Sequence, residues 1–282
     1  MSFLEVRVLG SPKVLLEGRP LHIIRRQTRA LLYRLAAQAG PIPREHLCFL
    51  FWANHAEAEA RRNLSHLLTH LRHSLSDTHL LDADSDHVEL NQASVRSDAV
   101  EFVVGCDTYQ HSPQVEQLYA MDALYRGPFL SGFSLPGSPE FELWATARRT
   151  AFERMHLEVL AVLVEEHIRL GELGDAIQYA NIYLEVNNFD ETMHRRLIEL
   201  YGAIGDRRAA MEQYQICAEV LRRDLGIRPS AATQVAYRNV LADLLSPSAL
   251  QATVDERLKQ IIHRQPGYRS ANLYPLPTRR RS

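Results

Sequence analysis

Apolar residues recur along the chain with two periods, and the change of period marks the elements. From Phe3 to Leu9 apolar and polar positions alternate, which predicts a half-buried strand. Gly10-Ser11-Pro12 closes it, Lys13 to Leu16 forms a second strand, Glu17-Gly18 turns the chain, and Leu21 to Ile24 forms a third. A helical period then takes over. One helix is predicted from Arg26 to Ala39, with Ala30, Leu31, Leu35 and Ala39 on its buried face and Gly40-Pro41 as its stop. Pro43 and Glu45 open a second helix that carries Leu47, Leu50, Phe51 and Trp52. A third runs from Ala56 to Ser76, followed by short strands at His79–Leu81 and His87–Leu90 around an Asp84-Ser85 turn.

The third helix has two faces. Leu64, Leu67, Leu68, Leu71 and Leu75 form one stripe, while Arg62, His66, Thr69 and His73 fall opposite. Between Arg61 and His73 there are three arginines, three histidines and no acid. An aliphatic back with a basic, hydrogen-bonding front suits a DNA major groove; a helix that only covers a core can show the same pattern. Sheet, three helices and a hairpin is the order of a winged helix, which places its recognition helix third.

The second half is helical. Asp98 to Val103 starts it, His111–Pro113 reads as a loop, Val115 to Leu124 as a helix, and Gly127 to Phe133 as a turn-rich connector. From Glu140 the helices keep a beat: Leu170-Gly171 and Ile204-Gly205 lie 34 positions apart, as do Ala176 and Ala210. That spacing is the tetratricopeptide period, in which small residues let helices approach. Asp190 and Asp206 stand where helix caps are needed. Three modules are therefore expected: a winged helix over 1–97, a helical-repeat module over 98–245, and a linker with a basic, disordered tail over 246–282. The fold class expected is mainly α with a small antiparallel β component.

Charge sharpens this division. The chain of 282 residues has a net charge of −2, but residues 1–97 carry +2, residues 98–245 carry −9, and residues 246–282 carry +5. Modules with different partners fit that asymmetry. Cys48, Cys106 and Cys217 are far apart, so a reduced, cytoplasmic setting is expected. No stretch predicts a membrane span. No GxSxG, HExxH, GxGxxG or GxxxxGK[ST] occurs, so neither an enzyme nor a cofactor is expected. His66, His70 and His73 share a helical face that could ligate a metal, but no Cys or carboxylate stands beside them, and no metal is expected.

The words LEVRVLGS, RRQTRALLYRLA, REHLCFLFW and ARRNLSHLLTHLR, in that order, resemble the DNA-binding domain of the antibiotic-regulatory-protein class of bacterial activators. YRGPFLSGF, FELWATARR, the GD…A repeats and LRRDLGIRPS resemble the bacterial transcriptional activation domain that follows it in those proteins. The resemblance covers residues 3–245 and implies a sequence-specific activator of transcription. Its partners would be duplex DNA with direct-repeat sites and RNA polymerase, and it could form a homodimer. On helix geometry Arg62, His66, Thr69 and His73 are expected in the groove, with Arg61 and Arg72 nearer phosphate. Arg25, Arg26 and Arg29 open the first helix, where backbone N–H groups can also meet phosphate. Two features depart from the family. Many relatives carry arginine where this chain has Ser65, and Asp82, Asp84 and Asp86 make the hairpin acidic. The alternative is an interaction adaptor whose winged helix no longer binds DNA.

Overall fold

The computed structural model describes residues 2–109 and 114–263. The loop expected at His111–Pro113 and the prolines and arginines after residue 263 lie outside the described residues. Among the described residues two compact units are present: one holds the chain up to Thr108 together with Ala120–Arg154, the other the stretch ending at Tyr119 and the residues from Met155 to His263.

In the first unit β1 (Leu4–Arg7) pairs antiparallel with β2 (Lys13–Leu16), and β3 (Arg19–Pro20) continues the meander. Leu4 and Val6 point into the core and Val14 packs beside them. The third strand was expected at Leu21–Ile24. It is instead the two residues before, where Leu16 and Leu15 still offer ladder partners. The helices follow as α1 (Arg26–Ala36), α2 (Arg44–Trp52) and α3 (Glu57–Leu75), with the short β4 (Ile42–Pro43) between the first two. After α3 come β5 (Leu81–Ala83), β6 (His87–Leu90) and β7 (Val95–Ser97).

Two sheets result, ordered β3-β2-β1-β7 and β4-β6-β5. The strand component is small and mainly antiparallel, as expected, with one parallel pair, β7 beside β1, Val95 opposite Leu4. A parallel neighbour needs a long crossover, and the three helices supply it. The winged helix is thus closed by a strand too short to announce itself in the sequence.

Asp98, at the start of α4 (Asp98–Tyr109), locks this closure. Its buried carboxylate accepts the Val8 and Leu9 N–H groups at 2.8 and 3.1 Å and the Arg126 guanidinium at 2.5 Å. Burial, the largest cause, leaves its pKa raised, and those donors offset this only in part. After α5 (Val115–Leu124), residues of the YRGPFLSGF word return to the first sheet. Leu130 N–H donates to Val8 at 2.9 Å, Ser131 N–H to Gly10 at 3.0 Å, and Phe129 bridges Leu9. The approach is close: a Cβ on Gly10 would meet Arg126 at 3.3 Å, and the Gly10 φ of +112° favours glycine. This connector, expected in the helical module, packs with the winged-helix residues, as do residues 98–108. α6 (Pro139–Leu170) begins in the same unit.

The second unit takes the end of α6, then α7 (Leu173–Val186), α8 (Glu191–Ala203), α9 (Arg207–Val220), α10 (Ala231–Leu241), α11 (Pro247–Gln251) and α12 (Val254–His263). Asp190 caps α8 through the N–H groups of Thr192 and Met193, and Asp206 caps α9 through Ala209. Gly171 and Gly205 end helices with φ of +82° and +81°, the left-handed turn that suits glycine at that place. Ala176 and Ala210, one period apart, are fully buried. Leu160, Val164, Ile168, Leu197 and Leu200 form the core, and Leu250 and Val254 join it. Within the segment expected as a linker, where the sequence allows one short helix over Val254 to Ile262, α11 and α12 are helical, and Leu250 and Val254 reach that core.

Candidate nucleic-acid interface

Helix α3 is positioned from behind. Ala60, Leu64, Leu67, Leu68, Leu71 and Leu75 are all buried, so the leucine stripe is spent on the core of the first unit. Burying each leucine contributes about 1.5–3 kcal/mol, and together they leave one orientation for the helix. Its C-terminus ends on Ser76 at φ +59°, whose N–H closes onto Arg72 O. The opposite face is exposed at Arg61, Arg62, Ser65, His66, Thr69 and His73.

The predicted residues are not equivalent. Among the described residues the side chains of Arg62, His66, Arg72 and His73 form no hydrogen bond or ion pair, so their donors are available. Thr69 donates its hydroxyl to Ser65 O at 3.0 Å, which leaves its methyl and its lone pairs facing out. Arg61 is already engaged, by Glu45 at 3.3 Å and Glu57 at 3.2 Å. Arg25 donates to His70 Nε2, so His70 accepts there and faces Arg25. Its pKa is lowered, first by desolvation and then by the Arg25, His73 and His66 charges.

Arg26 and Arg29 lie over the Phe133 ring, 5.6 and 5.7 Å from its centroid. Arg26 is exposed and also donates to Ser134 at 3.4 Å, whereas Arg29 is half-buried with its Nε enclosed and without a hydrogen bond. These arginines form no ion pair with Glu57 or Glu59 among the described residues. Trp52 is half-buried and tilts against Phe51 at 5.6 Å.

Two of the hairpin's three aspartates are held by local hydrogen bonds. Asp84 turns its carboxylate inward to accept the Asp86 and His87 N–H groups, both at 2.7 Å, and these bonds hold its pKa below the usual range. Asp86 accepts from Ser85 at 2.8 Å. One residue missing from the sequence expectation reaches this corner: Arg44, first in α2, donates to Ser65 Oγ at 2.9 Å and to Asp84 O at 3.1 Å. Its place at a helix start beside Pro43 was legible, but its target on another element was not.

Two other polar clusters are paired internally. A cleft lined by Glu5, Arg7, Arg96, Asp98, Glu101 and Arg126 pairs each arginine with a carboxylate. In the second unit His167, Glu172 and Asp175 bring ligand atoms within 4.8 Å of one another. Both His167 nitrogens are taken there, Nδ1 by Glu172 at 2.8 Å and Nε2 by the Tyr119 hydroxyl at 3.0 Å. The three cysteines are buried free thiols, and burial raises that of Cys217 to about 12. No helix among the described residues is long and apolar enough to cross a membrane.

Residues 108–241 match the family model of the bacterial transcriptional activator domain. The fold is similar to that of Mycobacterium tuberculosis EmbR, solved in complex with a low affinity phosphopeptide. The TM-score is 0.68 at 20% identity, covering 91% of this chain and 70% of that one. No match is found among curated proteins.

Proposed function

We propose that the chain is a bacterial transcriptional activator of the antibiotic-regulatory-protein type, a winged helix followed by a bacterial transcriptional activator domain, and that it binds duplex DNA sequence-specifically through α3; the domain match over residues 108–241 and the EmbR-like fold support this reading. The observation that carries this reading is the division of α3 into a fully buried leucine back and a front whose Arg62, His66, Arg72 and His73 side chains form no hydrogen bond or ion pair among the described residues. An exposed cation without a carboxylate, on a helix at the recognition position, suits phosphate and base-edge contacts. Arg62, His66, Thr69 and His73 enter the major groove. Thr69 offers a methyl for thymine and an acceptor for a base amine. Arg72, Arg25 and Arg26 serve the flanking phosphates, Arg61 once freed from its acids, and Arg29 the least because Phe133 and its own burial hold it.

The helical unit makes the protein contacts of activation, with RNA polymerase or a second copy bound at a direct repeat. Exposed Met211, Ile216, Val235 and Leu241 on α9 and α10 support a protein-facing role. Selection of bound fragments from the host genome by the full chain tests the DNA reading. Enriched fragments are expected, and Arg62→Ala is expected to weaken binding to them by about 5- to 150-fold, the equivalent of roughly 1–3 kcal/mol. Failure of the wild-type chain to bind any duplex at low salt would overturn the reading in favour of the adaptor.

A further inference from the structure

The basic front of α3 is interrupted at Ser65, and a cation arrives there from another element. Arg44 is fixed at its backbone: its N–H donates to Asp86 O at 2.7 Å, and the preceding Ile42 and Pro43 pair with Val88 and His87 of β6. From that anchor its guanidinium spans the gap between helix and hairpin, one nitrogen on Ser65 Oγ and another on Asp84 O. Ser65 is held in turn, donating to Arg61 O at 3.0 Å.

Both acceptors of Arg44 are neutral oxygens. Among the described residues no ion pair involves Arg44, whereas Arg61 meets two carboxylates. A guanidinium has five N–H donors, and two hydrogen bonds orient it while leaving donors and the full charge for an anion. The order imposed by Ser65 and the hairpin reduces the entropy lost on binding. The Asp84 carboxylate accepts two backbone N–H groups; it feels the Arg44 charge but forms no ion pair with it among the described residues.

We propose that Arg44 is a DNA-backbone contact of this protein, a pre-positioned phosphate clamp between α3 and the hairpin that replaces an arginine at position 65. The proposal rests on the DNA-binding reading of α3. It explains how a hairpin with three aspartates can lie near phosphates, since the clamp supplies positive charge at its base.

The test is the salt dependence of affinity of the full chain for a mixed-sequence duplex of about two helical turns. Arg44→Gln retains hydrogen-bond donors while removing the charge, and thermal unfolding verifies that it folds. The expected result is a log–log salt slope shallower by about one than wild type. Arg44→Lys keeps the slope, and the double variant Arg44→Gln, Ser65→Arg recovers it. A wild-type slope in Arg44→Gln, with the wild-type chain binding, overturns the clamp alone. Absence of wild-type binding overturns the DNA reading and the clamp with it.

Discussion

Helices α3 and α8 carry the same polar vocabulary and use it in opposite ways. Each contains an Arg-Arg pair and histidine: Arg61-Arg62 with His66 in α3, Arg195-Arg196 with His194 in α8. In α3 the basic residues stand on the outer face. In α8 the Arg196 side chain is only 1% exposed, ion-paired with Glu165 and with Glu199 at 3.2 Å, and it also donates to Thr253 at 3.2 Å. Arg257 from α12 joins at Glu199, 3.1 Å away. His194 is buried and neutral, donating Nε2 to Asn188 O and accepting at Nδ1 from Gln213. A charge removed from water needs partners, so the buried arginine is surrounded by them. A charge left in water needs none, and among the described residues Arg62, His66 and His73 on α3 form no ion pair or side-chain hydrogen bond, unlike Arg61 beside them, which leaves them available to a ligand.

That contrast is broken most severely at Arg196. Arg196→Ala leaves the Glu165 carboxylate buried without its cation, and denaturant unfolding of the full chain is expected to show a loss of about 3–5 kcal/mol. The counterpart Arg62→Ala, on the exposed face, should change stability by no more than about 0.5 kcal/mol in the same measurement while still weakening DNA binding. A comparable loss in both variants would mean that α3 and α8 are not differently employed.

A smaller effect is expected at the cap of α8. Asp190→Ala removes the acceptor for the Thr192 and Met193 N–H groups, and also the partner of the Tyr183 hydroxyl at 2.6 Å. The expected cost is about 1 kcal/mol, read from the unfolding midpoint with an unchanged denaturant dependence.

The smallest effect is a pH dependence at His194. Burial, the largest cause, lowers its pKa below the ordinary 6.5, so the unfolded chain binds this proton more readily than the folded one. Its contribution to stability is therefore complete above pH 6.5 and declines as the pH falls through the lowered folded value. Wild type should lose stability on acidification relative to His194→Gln, which has no such proton to take up. A stability difference between the two that stays constant over pH 5–7 would show that His194 is solvated.

The winged helix was legible in large part because its helices are amphipathic. The leucines of α3 recur at the helical period, and hydrophobic burial orients the helix with little dependence on what lies behind it. Local devices were equally legible: Asp190 and Asp206 bond to N–H groups within three residues, and Gly171 and Gly205 relieve a strain set by their own backbone. What escaped was long-range. β7 has three residues and pairs with β1 across more than eighty positions of chain, and the return of Phe129 to Leu9 depends on the same sheet edge.

The amino-acid order alone determined which residues of α3 turn inward, where the later helices begin and end, and the repeat that stacks them, because each depends on neighbours within a turn or two. The tertiary structure decided which charges remain free. It gave Arg61 to Glu45 and Glu57, set Arg26 and Arg29 over Phe133, and carried Arg44 to Ser65. Coulomb and hydrogen-bond energies fall off within a few ångströms, so a side chain's partner is settled only when folding brings distant segments within that reach.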